Sequence, residues 1–533
     1  MQVTSYIFSR GGNGQSAGCT MNSLPSVAPG TFSSLRHPHH DGRRSRLPTA
    51  TAAFVALWLA GCAVGPDYKA PVADLPTAYA HADALAARHG ALPAPSIDRW
   101  WSGFDDPALT RIVERALAEN LDLAAAMARV TQARAAAQGA GARLLPDVNL
   151  NGSAVRQHQS LDSPLGKLAS AQPGYNRNQT VYDIGAGASW ELDLFGGLRR
   201  GAEAASAEAQ AAQADSAGVR VTIAGEAADA YFRVRSAQRR LAIAQDQIDT
   251  ETRLLDIVKV RRGDGLATER EVAQAEALVA QARGTLPPLR IERETQLNRL
   301  DVLMGAAPGT YARELTADAA RVDRVAAVSG NGSGGLAVPA IEDAGGPAAL
   351  LRRRPDVIAA ERRLAATNAR IGAAVAEYYP KVSLSGVLGF ETLAGGRVPS
   401  AATFQPLAAL GVRWRLFDFG RVDAEVAQAK GANAEALARY RASMLRATED
   451  VENAIVTLTE LENQSADLSI EVKAQTRARD SAQDAYKGGA VSLYEVLDAN
   501  RQLLAARDSQ ARVHADNARA AVATFRALGG GWE

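Results

Sequence analysis

The sequence predicts an α+β membrane protein in which barrel-type β-strands alternate with very long helices, the whole arrangement occurring twice. Three observations predict it. No run of eighteen apolar residues occurs anywhere, so a chain like this that crosses a membrane must do so as a closed β-barrel. Four segments alternate apolar and polar side chains residue by residue, as a wall between lipid and an aqueous lumen requires. Finally, the chain is an internal duplication whose halves align at constant offsets.

Residues 1–61 read as a signal and leader segment. Arg43, Arg44 and Arg46 precede an apolar stretch from Ala50 to Ala60, and Leu59-Ala60-Gly61-Cys62 closes it in the order of a bacterial lipoprotein signal. At about a dozen residues the stretch is too short to span a bilayer. Cys62 is therefore the predicted lipidation site, and Ala63 after it favours the outer membrane over inner-membrane retention. Residues 1–40 fit neither a signal nor a domain; a start codon placed too far upstream or a long basic region would each account for them. Residues 62–105 form a lipid-anchored N-terminal extension.

Residues 106–304 are the first repeat and 348–529 the second. Trp190, Leu192, Phe195, Gly196, Gly265, Glu271 and Val272 recur as Trp414, Leu416, Phe419, Gly420, Gly489, Glu495 and Val496, at an offset of 224 (414 − 190). Upstream, Arg129, Pro146, Val148, Leu150 and Gly152 recur as Arg363, Pro380, Val382, Leu384 and Gly386, at 234 (380 − 146). The difference falls between paired strands, so the turn near Gln159–Asn178 is longer than its counterpart near Thr392–Thr403.

Each copy reads helix, strand, strand, very long helix, glycine turn, helix. The first helix runs from Pro107 to Leu145 and its counterpart from Ala348 to Tyr379, each stopped by a proline. In the strands Val148, Leu150 and Ala154 alternate with Asn149, Asn151 and Ser153; Tyr182 through Leu192 alternate with Asp183 through Asp193; Val382 and Leu384 alternate with Lys381, Ser383 and Ser385; Leu410, Val412, Trp414 and Leu416 alternate with Gly411, Arg413 and Arg415. A soluble half-buried sheet would alternate in the same way; the number of such segments favours a barrel. The long helices, Gly196–Gly263 and Gly420–Lys487, contain no proline and reach about 100 Å at 1.5 Å per residue. Their small side chains, Ala202, Ala205, Ala209 and Ala212 among them, suit close packing in a coiled-coil wall. Residues 305–347 form a Gly-rich linker between the copies. Its Gly330-Asn331-Gly332-Ser333-Gly334-Gly335 lacks the flanking strand and helix of a nucleotide loop.

Composition narrows the chemistry. With 59 basic against 58 acidic side chains, nothing points to nucleic acid. Beyond the leader only His81, His89, His158 and His514 remain, with no ligand partner at i+3 or i+4, and Cys62 is the sole cysteine. No metal, cofactor or catalytic residue is predicted, and no G-x-S-x-G or H-E-x-x-H motif points to an enzyme. Hydrophobic residues make up 47% of the chain and aromatic ones only 5%, which suits alanine-rich helices better than bulky cores.

The run Leu350-Leu351-Arg352-Arg353-Arg354-Pro355-Asp356-Val357, continued by Ala360-Glu361-Arg362-Arg363-Leu364 and Tyr379-Pro380-Lys381-Val382-Ser383-Leu384, resembles the opening signature of the second repeat in the TolC/OprM/NodT family of outer-membrane efflux factors. Trp414-Arg415-Leu416-Phe417-Asp418-Phe419-Gly420-Arg421 resembles that family's strand-to-helix exit. The resemblance implies a homotrimer with a twelve-stranded transmembrane barrel, four strands per chain, continued by a helical barrel in the periplasm. It implies an outer-membrane channel of a tripartite pump that exports small molecules, with metal-ion efflux or type I protein secretion as the competing readings. The implied partners are a periplasmic adaptor, an inner-membrane RND-type pump and outer-membrane lipid. It also implies a periplasmic gate at Tyr494, Glu495, Asp498 and Arg501, and adaptor-contact tips at Gly263, Gly265, Leu266, Gly488, Gly489 and Val491. A solvated helix face carrying an Asp498–Arg501 pair would look the same in sequence. The first copy keeps Glu271 but has Gln274 and Ala277 at the other gate places, so the second repeat is expected to supply most of the gate.

Overall fold

The computed structural model describes residues 63–72, 76–88, 92–316, 338–341, 346–393 and 400–532, all within the unit Leu59–Glu533. The leader, Cys62, most of the inter-repeat linker and the outer tip of the second strand turn lie outside them. Four strands, β1 (Asp147–His158), β2 (Asn178–Leu192), β3 (Lys381–Thr392) and β4 (Phe404–Arg413), make one antiparallel sheet in the order β1-β2-β3-β4. The duplication survives at the level of register. Asp147 pairs with Ser189 in the first hairpin, and their counterparts Lys381 and Arg413 pair in the second. β1 and β4 are exposed along their whole length, which makes them the open edges.

The predicted fourth strand runs on through Trp414 and Leu416, but β4 ends at Arg413. Arg413 pairs with Lys381, the first residue of β3 after Pro380, so the chain's own neighbour offers β4 no further strand partner. The longer first turn contains a short helix whose N-cap, Ser163, accepts a hydrogen bond from Gly166 N.

Among the helices, α1 (Ala82–Ala86) lies in the N-terminal extension. The single first helix predicted for each copy is in fact two. α2 (Pro107–Glu119) and α3 (Leu121–Ala142) part at Asn120, whose extended backbone lets its side chain cap Leu123 N. Past the short turn helix α4 (Pro164–Ser170), the second copy behaves alike. Its α8 (Pro347–Arg353) and α9 (Pro355–Ala376) part at Arg354, because Pro355 drives the residue before it out of the helical region. The long helices match the prediction: α5 (Gly197–Gly263) and α10 (Arg421–Lys487) have 67 residues each. Both leave the sheet through a left-handed glycine, Gly196 at φ 80° and Gly420 at φ 82°. The returning leg differs between copies. In the first it is α6 (Glu269–Gly284) and α7 (Leu286–Leu303), divided before Pro287 and Pro288; in the second it is the unbroken α11 (Leu493–Ala527). Among the described residues no helix is long and apolar enough to cross a membrane.

Matching hydrogen bonds fix sheet to helices. Trp190 Nε1 donates to Leu144 O at 2.9 Å, and its counterpart Trp414 donates to Tyr378 O, also at 2.9 Å. In the first copy Phe195 stacks on Tyr379, with ring centroids 4.6 Å apart. The bulky core lies at the equator, where Trp100, Trp101 and Phe104 of a short 3₁₀ segment meet Phe232 and Phe525. Alanines such as Ala224, Ala227 and Ala228 let α5 approach closely there. The N-terminal extension straps this belt: Ala80 N and His81 Nδ1 both reach the Glu452 carboxylate, and Arg88 holds Glu462 at 2.7 Å. Phe232 is fully buried in the belt, so Phe232→Ala should destabilise it by about 3–5 kcal/mol. Thermal unfolding in mild detergent checks this; an unchanged midpoint would mean that the belt does not hold the helices together.

Candidate functional site

The far end of the helices carries two glycine turns, built alike. Leu266 N donates to Arg261 O at 2.8 Å across Gly265 (φ 74°), and Ala490 N donates to Ala485 O at 2.9 Å across Gly489 (φ 76°). This closure satisfies the last carbonyls of a helix and needs a residue without Cβ at its bend. Gly263 closes α5 and Gly488 follows α10; Leu266 is exposed and Val491 half-buried. The two tips are tied together, with the Arg261 guanidinium 4.8 Å above the Tyr486 ring.

Below the turns, Leu254, Leu255 and Val258 of α5, Val272, Ala275 and Val279 of α6, and Leu493, Val496 and Leu497 of α11 form one apolar cluster. That packing orients α11. Its buried face runs through Leu493, Val496, Leu497 and Asn500, so Tyr494, Glu495, Asp498 and Arg501 fall together on the opposite face. Asp498 is half-buried and doubly held: Oδ1 accepts from Arg501 Nη2 at 2.8 Å and Oδ2 from Gln502 Nε2 at 2.6 Å. Tyr494 and Glu495 are exposed, and among the described residues no partner engages the Glu495 carboxylate.

The first copy uses its corresponding carboxylate differently. Glu271 closes a capping box at the start of α6, accepting from Thr268 N at 2.6 Å and Thr268 Oγ1 at 2.8 Å, while Thr268 Oγ1 accepts from Glu271 N. The bond from Thr268 N holds the Glu271 carboxyl below its usual range. The second copy has a hydroxyl and a carboxylate at the same spacing, Ser492 and Glu495, yet its box is open. Glu495 is thereby left facing outward.

One polar site escaped the sequence analysis. Glu251, on α5, is 3% exposed; its Oε1 accepts from Gln247 and its Oε2 has no partner. Asn500, on α11, is 2% exposed, with Nδ2 unpartnered. Each lies about one turn from the apolar cluster. The signal was a charge interrupting the stripe Ile248, Glu251, Leu255, Val258. Burial pushes the Glu251 carboxyl up to about 7, outweighing the Gln247 bond, which pulls it down. No group of three or more His, Cys, Asp or Glu that could hold a metal occurs among the described residues.

At the other end of the helices, the first described residues dock where strand meets helix. Val64 N donates to Phe195 O at 3.1 Å, and Arg200 Nη2 reaches Asp67 Oδ1 at 2.6 Å. Gly372 and Gly196 leave room for this segment, since a Cβ on either would run into residues 63–65.

With this geometry in hand, likenesses to known proteins are informative. The family model of "Outer membrane efflux protein" matches residues 112–306 and 346–530. The chain is similar to the pyoverdine export outer membrane protein OpmQ of Pseudomonas putida, 35% identical over 84% of this chain and 90% of that protein. It is similar to nodulation protein T of Rhizobium leguminosarum bv. trifolii, 29% identical over 91% and 98% respectively. Among solved structures it resembles the outer-membrane channel OprN, with a TM-score of 0.74 and 33% identity over 88% of this chain and all of that one.

Glu251 yields a pH prediction. A carboxyl whose folded pKa lies above its unfolded value of about 4.3 loses stability as pH rises from there towards 7. Glu251→Gln should therefore raise the thermal midpoint at pH 8 and change little near pH 4. A rise of equal size at both pH values would show that ionisation of Glu251 is not the cause.

Proposed function

This chain belongs to the outer membrane efflux protein family: it is an outer-membrane channel component of an efflux pump, not an enzyme, and we propose below how its residues anchor, close and dock that channel. Its fold is that of a trimeric twelve-stranded β-barrel continued by a helical barrel in the periplasm. The observation that carries the reading is a four-stranded sheet, open at both edges, standing on two 67-residue helices. Residues 106–304 and 348–529 are the two repeats, joined by an equatorial linker at 305–347. The partners we assign are a periplasmic adaptor, received at the tips Gly263, Gly265, Leu266, Gly488, Gly489 and Val491, and an inner-membrane RND-type pump. Exposed Leu266 and the rigid glycine turns support the tip assignment. Similarity to a protein named for pyoverdine export supports small-molecule cargo over metal ions or secreted protein.

Lipidation at Cys62 is the second part of the proposal. Residues 63–67 are held at the strand-to-helix exit, the level at which the barrel leaves the bilayer, so acyl chains on the preceding cysteine would enter the membrane without stretching the chain. Cys62→Ser should abolish palmitate labelling and signal cleavage while leaving some assembled channel, because the barrel holds the protein in the membrane independently. Unchanged labelling would refute it.

The gate is the third part. Three-fold symmetry would gather Glu495 and Asp498 from each chain around one aperture, six carboxylates whose repulsion opposes closure and which cations relieve. Arg501, bonded to Asp498, restrains this charge. In planar bilayers Asp498→Ala should weaken block by divalent cations and Arg501→Ala should raise the open fraction. Gln274→Ala, at the uncharged first-copy place, should do neither. Identical conductance and cation block in all three variants would move the gate elsewhere.

A further inference from the structure

We propose that the barrel closes with one specific register between β4 of one copy and β1 of the next, and that Phe419 locks this seam on Leu145 of the neighbouring copy. The inference rests on the trimeric reading and adds to it which residues meet.

Its basis is the duplication, which holds through the strands and their exits. The strand hairpins share one register, the Trp190 and Trp414 hydrogen bonds fall on corresponding carbonyls, and the left-handed glycines coincide. Within one chain β2 pairs with β3, a junction of first copy with second: Trp190 faces Leu384, Leu192 faces Val382 and Gly185 faces Gly389. The remaining junction, second copy with first, can form only between chains. Moving each β2 residue on by 224 and each β3 residue back by 234 gives its register. Trp414 then faces Leu150 of the neighbouring copy, Leu416 faces Val148 and Ala409 faces Val155.

Three features of the lone chain fit this seam. Trp414, Leu416, Leu150 and Val148 are all exposed and all belong to the apolar face, so apolar meets apolar towards lipid. Arg413 and Arg415 would meet Asn151 and Asn149 on the lumen face; a slip of one residue would reverse the two faces. The premature end of β4 is also explained, since beyond Arg413 the chain's own neighbour has no further strand residue, whereas the next copy offers the edge-facing N–H groups of Leu150 and Val148. Outside the strands, the Phe195–Tyr379 stack transforms into Phe419 against Leu145 once Phe419, left-handed at φ 54° in the lone chain, takes the backbone of Phe195. Phe419 is fully exposed in the lone chain and Leu145 largely so.

Disulfide mapping tests the register. Directly opposed strand positions lie about 4.5–5.5 Å apart, within disulfide reach, whereas diagonal ones lie about 7–8 Å apart. In the full-length protein in mild detergent, Ala409→Cys combined with Val155→Cys should give covalent dimer and trimer on a denaturing gel, lost with reductant. Ala409→Cys combined with Ser153→Cys or Gln157→Cys should leave monomer, as should each single cysteine. Preference for either slipped pair, with three chains counted by native mass, overturns the register and leaves the trimer standing. A native mass of one chain overturns the trimer and the seam together. If the strand variants fail to assemble, Phe419→Cys with Leu145→Cys and a short bismaleimide reports the same geometry, and absence of linkage in an assembled trimer overturns the proposal.

Discussion

Backbone hydrogen bonding in lipid is the constraint on which the rest of this structure depends. An N–H or C=O left open in hydrocarbon costs several kcal/mol, and a chain with no spanning helix can avoid that cost only by closing a sheet. Four strands cannot close one: β1 and β4 are bare along their length. Association therefore completes the fold instead of decorating it. The long helices follow, because every strand pair must leave the membrane through a helix pair, and 67 residues at 1.5 Å each give a wall of about 100 Å.

Such a wall cannot be held by bulky side chains throughout. Alanine lets the helices approach, but it buries little apolar surface per residue. The structure concentrates its large side chains in the equatorial belt of Trp100, Trp101, Phe232 and Phe525, and in the small cluster behind the tips. Between these anchors the helices share only a smaller cluster, Ala244, Ile248, Ala282, Leu286 and Leu289, and ion pairs such as Arg240–Asp508, partly exposed and individually worth little. The tips are thus packed separately from the belt, which is the mechanical condition that the proposed gate needs.

Much of this was legible in the sequence because its periodicities are long and its offsets constant. Strand alternation, the proline-free helices and the glycine turns each have a single structural cause and recur twice. What was misread depended on neighbours. Asn120 is an ordinary helix residue until its side chain caps Leu123 N, and Pro355 reads as a first-turn proline only once a separate α9 begins there. Trp414 and Leu416 have strand character, yet whether they are strand depends on a partner that a single chain does not contain. Glu251 was overlooked because burial of one carboxylate in an alanine-rich helix is a tertiary fact with only a faint trace in the pattern.

The two copies also differ at the residues proposed for the gate. Thr268 and Glu271 close a capping box; Ser492 and Glu495, a hydroxyl and a carboxylate at the same spacing, do not. A closed box spends its carboxylate on the backbone of its own helix, satisfying donors that would otherwise be orphaned. Leaving it open forgoes about 1 kcal/mol of local stability and frees a negative charge on the outward face of α11, beside Asp498. Repeated threefold, the first copy would contribute rigid helix starts whose carboxylates are tied to their own backbone, and the second a ring of untied carboxylates. Duplication supplies the near-sixfold wall, and one unformed hydrogen-bond pair per chain turns three of its six helix starts into candidates for the gate.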